Sequence, residues 1–257
     1  MIEQTVAGAQ AALATFVNPE KAAHYPKFFK AGPGEYGEGD QFLGVTVPHV
    51  REVAKQFAGL TEAEIYELLQ SPIHEHRSLG LFILVARWKK SKTAAAQQEL
   101  FDFFMRVVYE GRVNNWDLID NSAPNFGTFL IGKPDAMQLL ESLAHSEKLW
   151  ERRVAIMFTF ASIRSSKMGK GPDNFAPTLH IAELLLHDKH DLIHKATGWM
   201  LREVGLRDIA ELRNFLSRFA AKMPRTMLRY SIEKLDADER KLWMGKAAEA
   251  AIREFKN

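Results

Sequence analysis

The residues best equipped for chemistry lie in VNNWDLIDN, residues 113–121. Trp116 and Asp120 are four positions apart, so on a helix they share one face. Asp117 stands three positions before Asp120, close enough for the two carboxylates to approach each other. Hydrolysis of a sugar by a carboxylate pair needs the two groups across a pocket, so a single functional carboxylate, Asp120, is the expectation. The ordinary alternative for Asp120 is a paired, structural aspartate. Pro124 adds a defect: inside a helix its ring crowds the carbonyl of Asp120 and withholds the N–H that carbonyl would receive. Broken local rules of this kind gather at functional sites.

A second group of residues suits a polyanion. In DLIHKATGWMLREVG, residues 191–205, Ile193, Ala196, Met200 and Val204 form an apolar stripe. Lys195, Trp199 and Arg202 fall on another face at i, i+4 and i+7. An indole between two cations can serve as a platform for a sugar-phosphate backbone. A solvated face carrying one partly buried tryptophan is the bland alternative.

Other patterns carry less. Gly32, Gly34 and Gly37 in AGPGEYGEGDQFLGV fit GxGxxG. A dinucleotide fingerprint needs a strand before it and a helix at its last glycine. The preceding HYPKFFK reads as helical or irregular, and Glu35, Glu38 and Asp40 would repel a pyrophosphate. A structural or substrate-gating loop is expected instead. HEH at 74–76 and HDKHDLIH at 187–194 do not form the HExxH of a zinc site, His187, His190 and His194 having no glutamate between them, so partly exposed histidines at helix junctions are expected, with no metal.

These sites need helices to carry them, and the pattern supplies helices throughout. EAEIYELLQ, AMQLLESLA, HIAELLLH and IAELRNFLSRFA repeat apolar residues at three-four spacing, with breaks at Asn18-Pro19, Ser71-Pro72, Lys133-Pro134, Gly171-Pro172 and Met223-Pro224. No Asn-Gly or Asp-Gly hairpin signal occurs. Arg77, Trp116, Arg153, Lys195 and Arg229 recur at intervals of 34–42 residues, each on the second helix of a pair. That period matches HEAT-type repeats, about 40 residues long. The expected fold is an all-α, HEAT-like helical-repeat solenoid, one continuous domain over 1–257. Its inner helices would line a concave basic face with Arg77, Arg152, Arg153, Lys195, Arg202, Arg225 and Arg229.

Composition sets the limits. The chain has 257 residues, 46% of them hydrophobic, enough for one large core or two modest ones. It has no cysteine, which excludes disulfides, thiolate metal sites and cysteine nucleophiles. Net charge is only +2, so the distribution of charge matters more than its sum. The opening MIEQTVAGAQAALATF lacks the basic start of a secretion signal. No apolar run approaches the roughly 18 residues of a membrane span. A soluble, cytoplasmic protein is expected.

Three segments together resemble the AlkD-like DNA alkylation-repair glycosylases, which are built from HEAT-like repeats. They are NNWDLID with its downstream SAPNFGTFL, LWERRVAIMFTF, and HKATGWMLREVG. Their order and separations match as well, so the likeness spans most of the chain. It implies a monofunctional enzyme that excises cationic N3- or N7-alkylated purines from duplex DNA without metal or organic cofactor. It implies Asp120 as the catalytic carboxylate. Trp116 and Trp199 would embrace the lesion's deoxyribose, and Arg153 would hold the DNA backbone near it. Further backbone contacts are expected from Arg152, Lys195, Arg202, Arg225 and Arg229, in a monomer.

The chemistry is self-consistent. An alkylated purine already carries positive charge and leaves without strong acid. The sugar left behind is oxocarbenium-like, and a carboxylate stabilises it and orients water. At about 4 Å and an effective dielectric near 20 the attraction is of order 4 kcal/mol, an upper estimate of about a thousandfold in rate. Indole faces favour the same charge. The acidic glycine run before FLGVTVP departs from the best-known family pattern, as an insertion that bears on substrate range. Two other readings remain: a non-catalytic relative that binds bent or branched DNA, and a protein-interaction scaffold.

Overall fold

The computed structural model describes residues 3–254. Met1 and Ile2, which open the segment read above for a secretion signal, lie outside the described residues. Among the described residues every regular element is helical, apart from one isolated bridge between Gln41 and Ile73. The chain folds as two compact units, Met1–Phe126 and Gly127–Asn257. Among the described residues no helix is long and apolar enough to cross a membrane.

The first unit contains α1 (Val6–Ala14), α2 (Pro19–Phe28), α3 (Val47–Gln56), α4 (Glu62–Gln70), α5 (His74–Lys90), α6 (Ala94–Tyr109) and α7 (Trp116–Phe126). α4 shows why the pattern was legible. Thr61 and Glu64 close a capping box at its start, and Ile65, Leu68 and Leu69 bury at i, i+3 and i+4. α5 is the hub, packing on α3, α4 and α7. Its residues are buried almost without a break from His74 to Val85. Leu79 and Ile83 are wholly buried, each contributing about 1.5–3 kcal/mol. At the far end of α7, Phe126 stacks on Phe104 with ring centres 4.3 Å apart.

The second unit begins with a 3₁₀ turn, Gly127–Leu130, and continues through α8 (Ala136–Ala144), α9 (Leu149–Phe158), α10 (Phe160–Ile163) and α11 (Ala176–Leu184). It ends with α12 (Asp191–Gly205), α13 (Ile209–Phe219), α14 (Arg225–Ser231) and α15 (Ala237–Glu254). Here α12 is the hub, contacting α9, α13 and α14. The stripe Ile193, Ala196, Met200 and Val204 is fully buried, as its spacing required. Leu201, Leu212, Phe215, Leu216, Met227 and Leu228 extend this core.

Candidate functional site

The stretch that opens α7 divides into residues that hold and residues that present. Asn115 accepts the N–H of Trp116 on its Oδ1 at 2.9 Å and donates from Nδ2 to the Phe29 carbonyl at 3.3 Å. Asn114 donates to Asp40 at 3.3 Å. Asp117 is buried and pairs with His74. Trp116 and Asp120, by contrast, are only partly covered. Trp116 stacks on Phe29 at 5.7 Å and meets the exposed Phe28 edge-on at 5.8 Å. The residues on either side of the indole therefore fix it from the protein side.

Pro124 does not break the helix. α7 runs on to Phe126 with the proline inside it. The helix is reinforced by side chains that donate to carbonyls one turn back. Asn121 donates to the Asp117 carbonyl at 2.8 Å, and Ser122 to that of Leu118 at 2.6 Å. Asn121 also accepts from Arg51 of α3 at 3.0 Å. The defect expected from sequence is thus confined to one missing N–H, two residues before the helix ends.

Behind α7 lies a buried chain of charges. His74 Nε2 is 2.9 Å from Asp117 Oδ2, and its Nδ1 is 3.2 Å from Asp40 Oδ2. Arg77 meets the other Asp40 oxygen at 2.7 Å. Burial alone would lower the pKa of His74, but Asp117 and Asp40 outweigh it and raise the value to about 9. At neutral pH the ring is an imidazolium that donates from both nitrogens. Burial pushes Asp40 up, yet the hydrogen bond from His74 and the charge of Arg77 hold it below its ordinary value. Two carboxylates thus face two cations, and every member is removed from water.

The same network corrects two expectations. His74 and His76 are 3% and 6% exposed, not partly exposed junction residues. Arg77 is 3% exposed and bound to Asp40 and the Ser71 carbonyl, so it is not part of a basic face. His190 and His194 do sit half-buried at a junction, where His190 caps α12 and His194 meets the Asp188 carbonyl at 2.5 Å.

The glycine run is a turn-rich segment tied to α5 and α7. Glu35 accepts the Gly32 N–H and Glu38 that of Gly34, each at 3.0 Å, so the loop's own carboxylates take the amides a phosphate would need. Buried Glu75 accepts the N–H groups of Leu43, Gly44 and Val45 at 2.9–3.2 Å. Gly37 sits so tightly that a Cβ would lie 2.6 Å from the Phe29 carbonyl and 3.1 Å from Asn115 Nδ2. The sequence reading missed Asp40, His74 and Glu75 as site-building residues. Asp40 and His74 are 34 positions apart, and no local pattern joins them.

In the second unit, Trp199 on α12 donates its indole N–H to Glu203 at 3.1 Å and lies 6.2 Å from the Phe160 ring. Lys195 pairs with Asp191 at 2.7 Å, and Arg202 with Glu233. Arg152 binds Asp188 at 2.6 Å and the carbonyls of Ser146 and Glu147. Arg153 is 4% exposed and donates to the Leu192 carbonyl at 2.5 Å, joining α9 to the first turn of α12. Arg225 and Arg229 are exposed on α14.

The family profile described as DNA alkylation repair enzyme matches residues 9–235. The chain belongs to that family. Membership gives this alkylation-repair protein a role in the repair of alkylated DNA. A solved structure described as a predicted DNA alkylation repair enzyme from Enterococcus faecalis shares its fold, with a TM-score of 0.63 at 15% identity. That likeness covers 86% of this chain and 97% of the other. The all-α, helical-repeat expectation agrees with this likeness. A search of curated protein sequences finds no match.

Proposed function

We propose that this family member is a DNA glycosylase that hydrolyses the N-glycosidic bond of cationic N3- and N7-alkylpurines in duplex DNA. The observation that carries the reading is α7. Trp116 and Asp120 share its half-covered face, while Asn114, Asn115 and Asp117 on the same turn are spent on holding it. A chain that invests buried ion pairs in one short helix gains preorganisation, which suits a site that stabilises charge as it develops.

In this reading the purine leaves already charged, so no acid is needed. Asp120 stabilises the oxocarbenium-like sugar and orients the water that attacks it. Trp116 and Trp199 contact the lesion's deoxyribose, their ring faces favouring its positive charge. Lys195, Arg202, Arg225 and Arg229 contact phosphates, exchanging internal partners for the backbone where they have them. Arg152 and Arg153 support the lesion-proximal backbone from positions fixed by the protein. The protein works as a cytoplasmic monomer, as one functional domain, without cofactor.

Release of free base from N-methylated duplex, compared between wild type and Asp120→Asn, tests the reading. Wild type should release base and Asp120→Asn should lose most of that rate, up to about a thousandfold, at unchanged melting temperature. Equal release by both proteins removes Asp120 from the chemistry. No release by either, with salt-sensitive DNA binding intact, replaces the glycosylase by a non-catalytic DNA binder.

A further inference from the structure

We propose that His74 is a positioning residue, clamped between Asp40 and Asp117, which makes the glycine-rich segment 31–45 part of the frame that aims Trp116 and Asp120. Three sets of contacts converge on this assignment. Asp117, on the first turn of α7, is held by His74 at 2.9 Å. His74 in turn is held by Asp40, at the end of the glycine run, at 3.2 Å. Arg77, on the turn after His74, lies 2.7 Å from the second oxygen of Asp40, so both oxygens of that carboxylate face a cation.

The glycine segment is itself fixed at both ends of the clamp. Beyond Asp40, Gln41 exchanges backbone hydrogen bonds with Pro72 and His74 at 3.0 and 2.8 Å. Glu75 then grips the three amides of Leu43–Val45. Before Asp40, Gly37 packs against Phe29 and Asn115. Phe29 stacks on Trp116 on one side and lies 4.7 Å from the His74 ring on the other. Position 74 therefore touches both the polar and the aromatic supports of the indole. A buried ion cluster used only for stability could be replaced by apolar packing at little cost. Placed here, it fixes one register of α7.

The titratable and charged groups around His74 are Asp40 from the loop, Glu75 and Arg77 from α5, Asp117 from α7 and Tyr25 from α2, while α3 adds only Val47 and Val50 to the shared cavity. Burial and Glu75 raise the Tyr25 phenol above its ordinary value of 10.0, whereas Asp40 titrates at acid pH. A titration from pH 7 to 10 thus reads His74.

The proposal borrows the role of Trp116 and Asp120 from the glycosylase reading, but its geometric half is tested without activity. In wild type, the His74 ring and the Trp116 indole N–H are followed together by NMR between pH 7 and 10. Both should move with one midpoint, near 9. A Trp116 resonance that stays still while His74 titrates overturns the proposal, whatever the protein's activity. In parallel, folded His74→Gln should excise alkylpurine up to about 100-fold more slowly, the scale of a 1 Å misplacement, with its affinity for undamaged duplex unchanged. A folded His74→Gln protein with the wild-type rate also overturns it. If wild type releases no base, the glycosylase reading falls, and coupled titration of His74 and Trp116 still supports the clamp.

Discussion

His74 and Asp117 face each other at 2.9 Å, Asp117 standing three residues before Asp120, the carboxylate proposed for catalysis. The pair ties the hub helix of the first unit to the short helix that carries Trp116 and Asp120. Its free energy depends on pH in a defined direction. The folded pKa of His74 is raised from 6.5 to about 9, so its contribution is complete below pH 6.5 and is lost as pH rises through 9. The shift corresponds to about 3 kcal/mol. Urea unfolding of wild type should show that loss between pH 6.5 and 10, and His74→Gln should show a flat profile there. A wild-type profile equally flat would mean that the imidazole is not charged in the folded protein.

Gly37 and Gly39 make a controlled comparison within the same loop. A Cβ at Gly37 would collide with the Phe29 carbonyl at 2.6 Å and press on Asn115 at 3.1 Å. At Gly39 nothing lies within 4 Å, but φ is +88°. Gly39→Ala should therefore cost only backbone strain, about 1–2 kcal/mol. Gly37→Ala must displace the loop from Phe29, the ring that stacks on Trp116, at a cost of about 1–3 kcal/mol like other overpacked sites, and should shift the Trp116 indole resonance as well. Equal effects on that resonance would show that loop packing does not reach the indole.

Much of this architecture was legible because it is local. Helical spacing located α4, α8 and α12 almost to the residue, and the apolar stripe of α12 buried as its periodicity demanded. The WxxxD pair was legible for the same reason, since i, i+4 is a helical neighbour. What the pattern could not carry was pairing at a distance. Asp40, His74 and Asp117 come from three separate segments, and a histidine followed by Glu75, His76 and Arg77 reads as a polar helix start until its partners are known. Arg77 misled for a related reason: a basic residue on the second helix of a pair suits a solvent face and a buried ion pair equally well. The acidic glycine run reads from sequence as a structural or substrate-gating insertion, but its pattern does not tell which of its carboxylates take its own amides and which, Asp40, joins the ion chain behind α7.

Arg153 separates a structural role from a DNA contact. Its guanidinium is almost wholly covered and donates to the Leu192 carbonyl. Arg153→Ala leaves that carbonyl without this charged donor, and a bond of that kind contributes about 1.5–3 kcal/mol. Denaturant unfolding should show a stability loss of that size, with any decline in lesion processing following the loosened junction between α9 and α12. An Arg153→Ala protein as stable as wild type, but weakened at lesions alone, would make the DNA backbone the residue's main partner.

The basic residues of the second unit should differ in how they answer to salt. Each phosphate contact to duplex DNA adds about −0.9 to the slope of log affinity against log salt. Arg229 is exposed and, among the described residues, has no carboxylate within ion-pairing distance. Arg152 is committed to Asp188 and two carbonyls. Removing Arg229 should reduce the slope by about one contact and leave the melting temperature unchanged. Removing Arg152 should lower the melting temperature first, because it frees the covered carboxylate of Asp188 and the turn before α9. Binding isotherms of both alanine variants on undamaged duplex at several salt concentrations decide the matter. A reduced slope for Arg152→Ala at full stability would show that the pair with Asp188 opens for DNA.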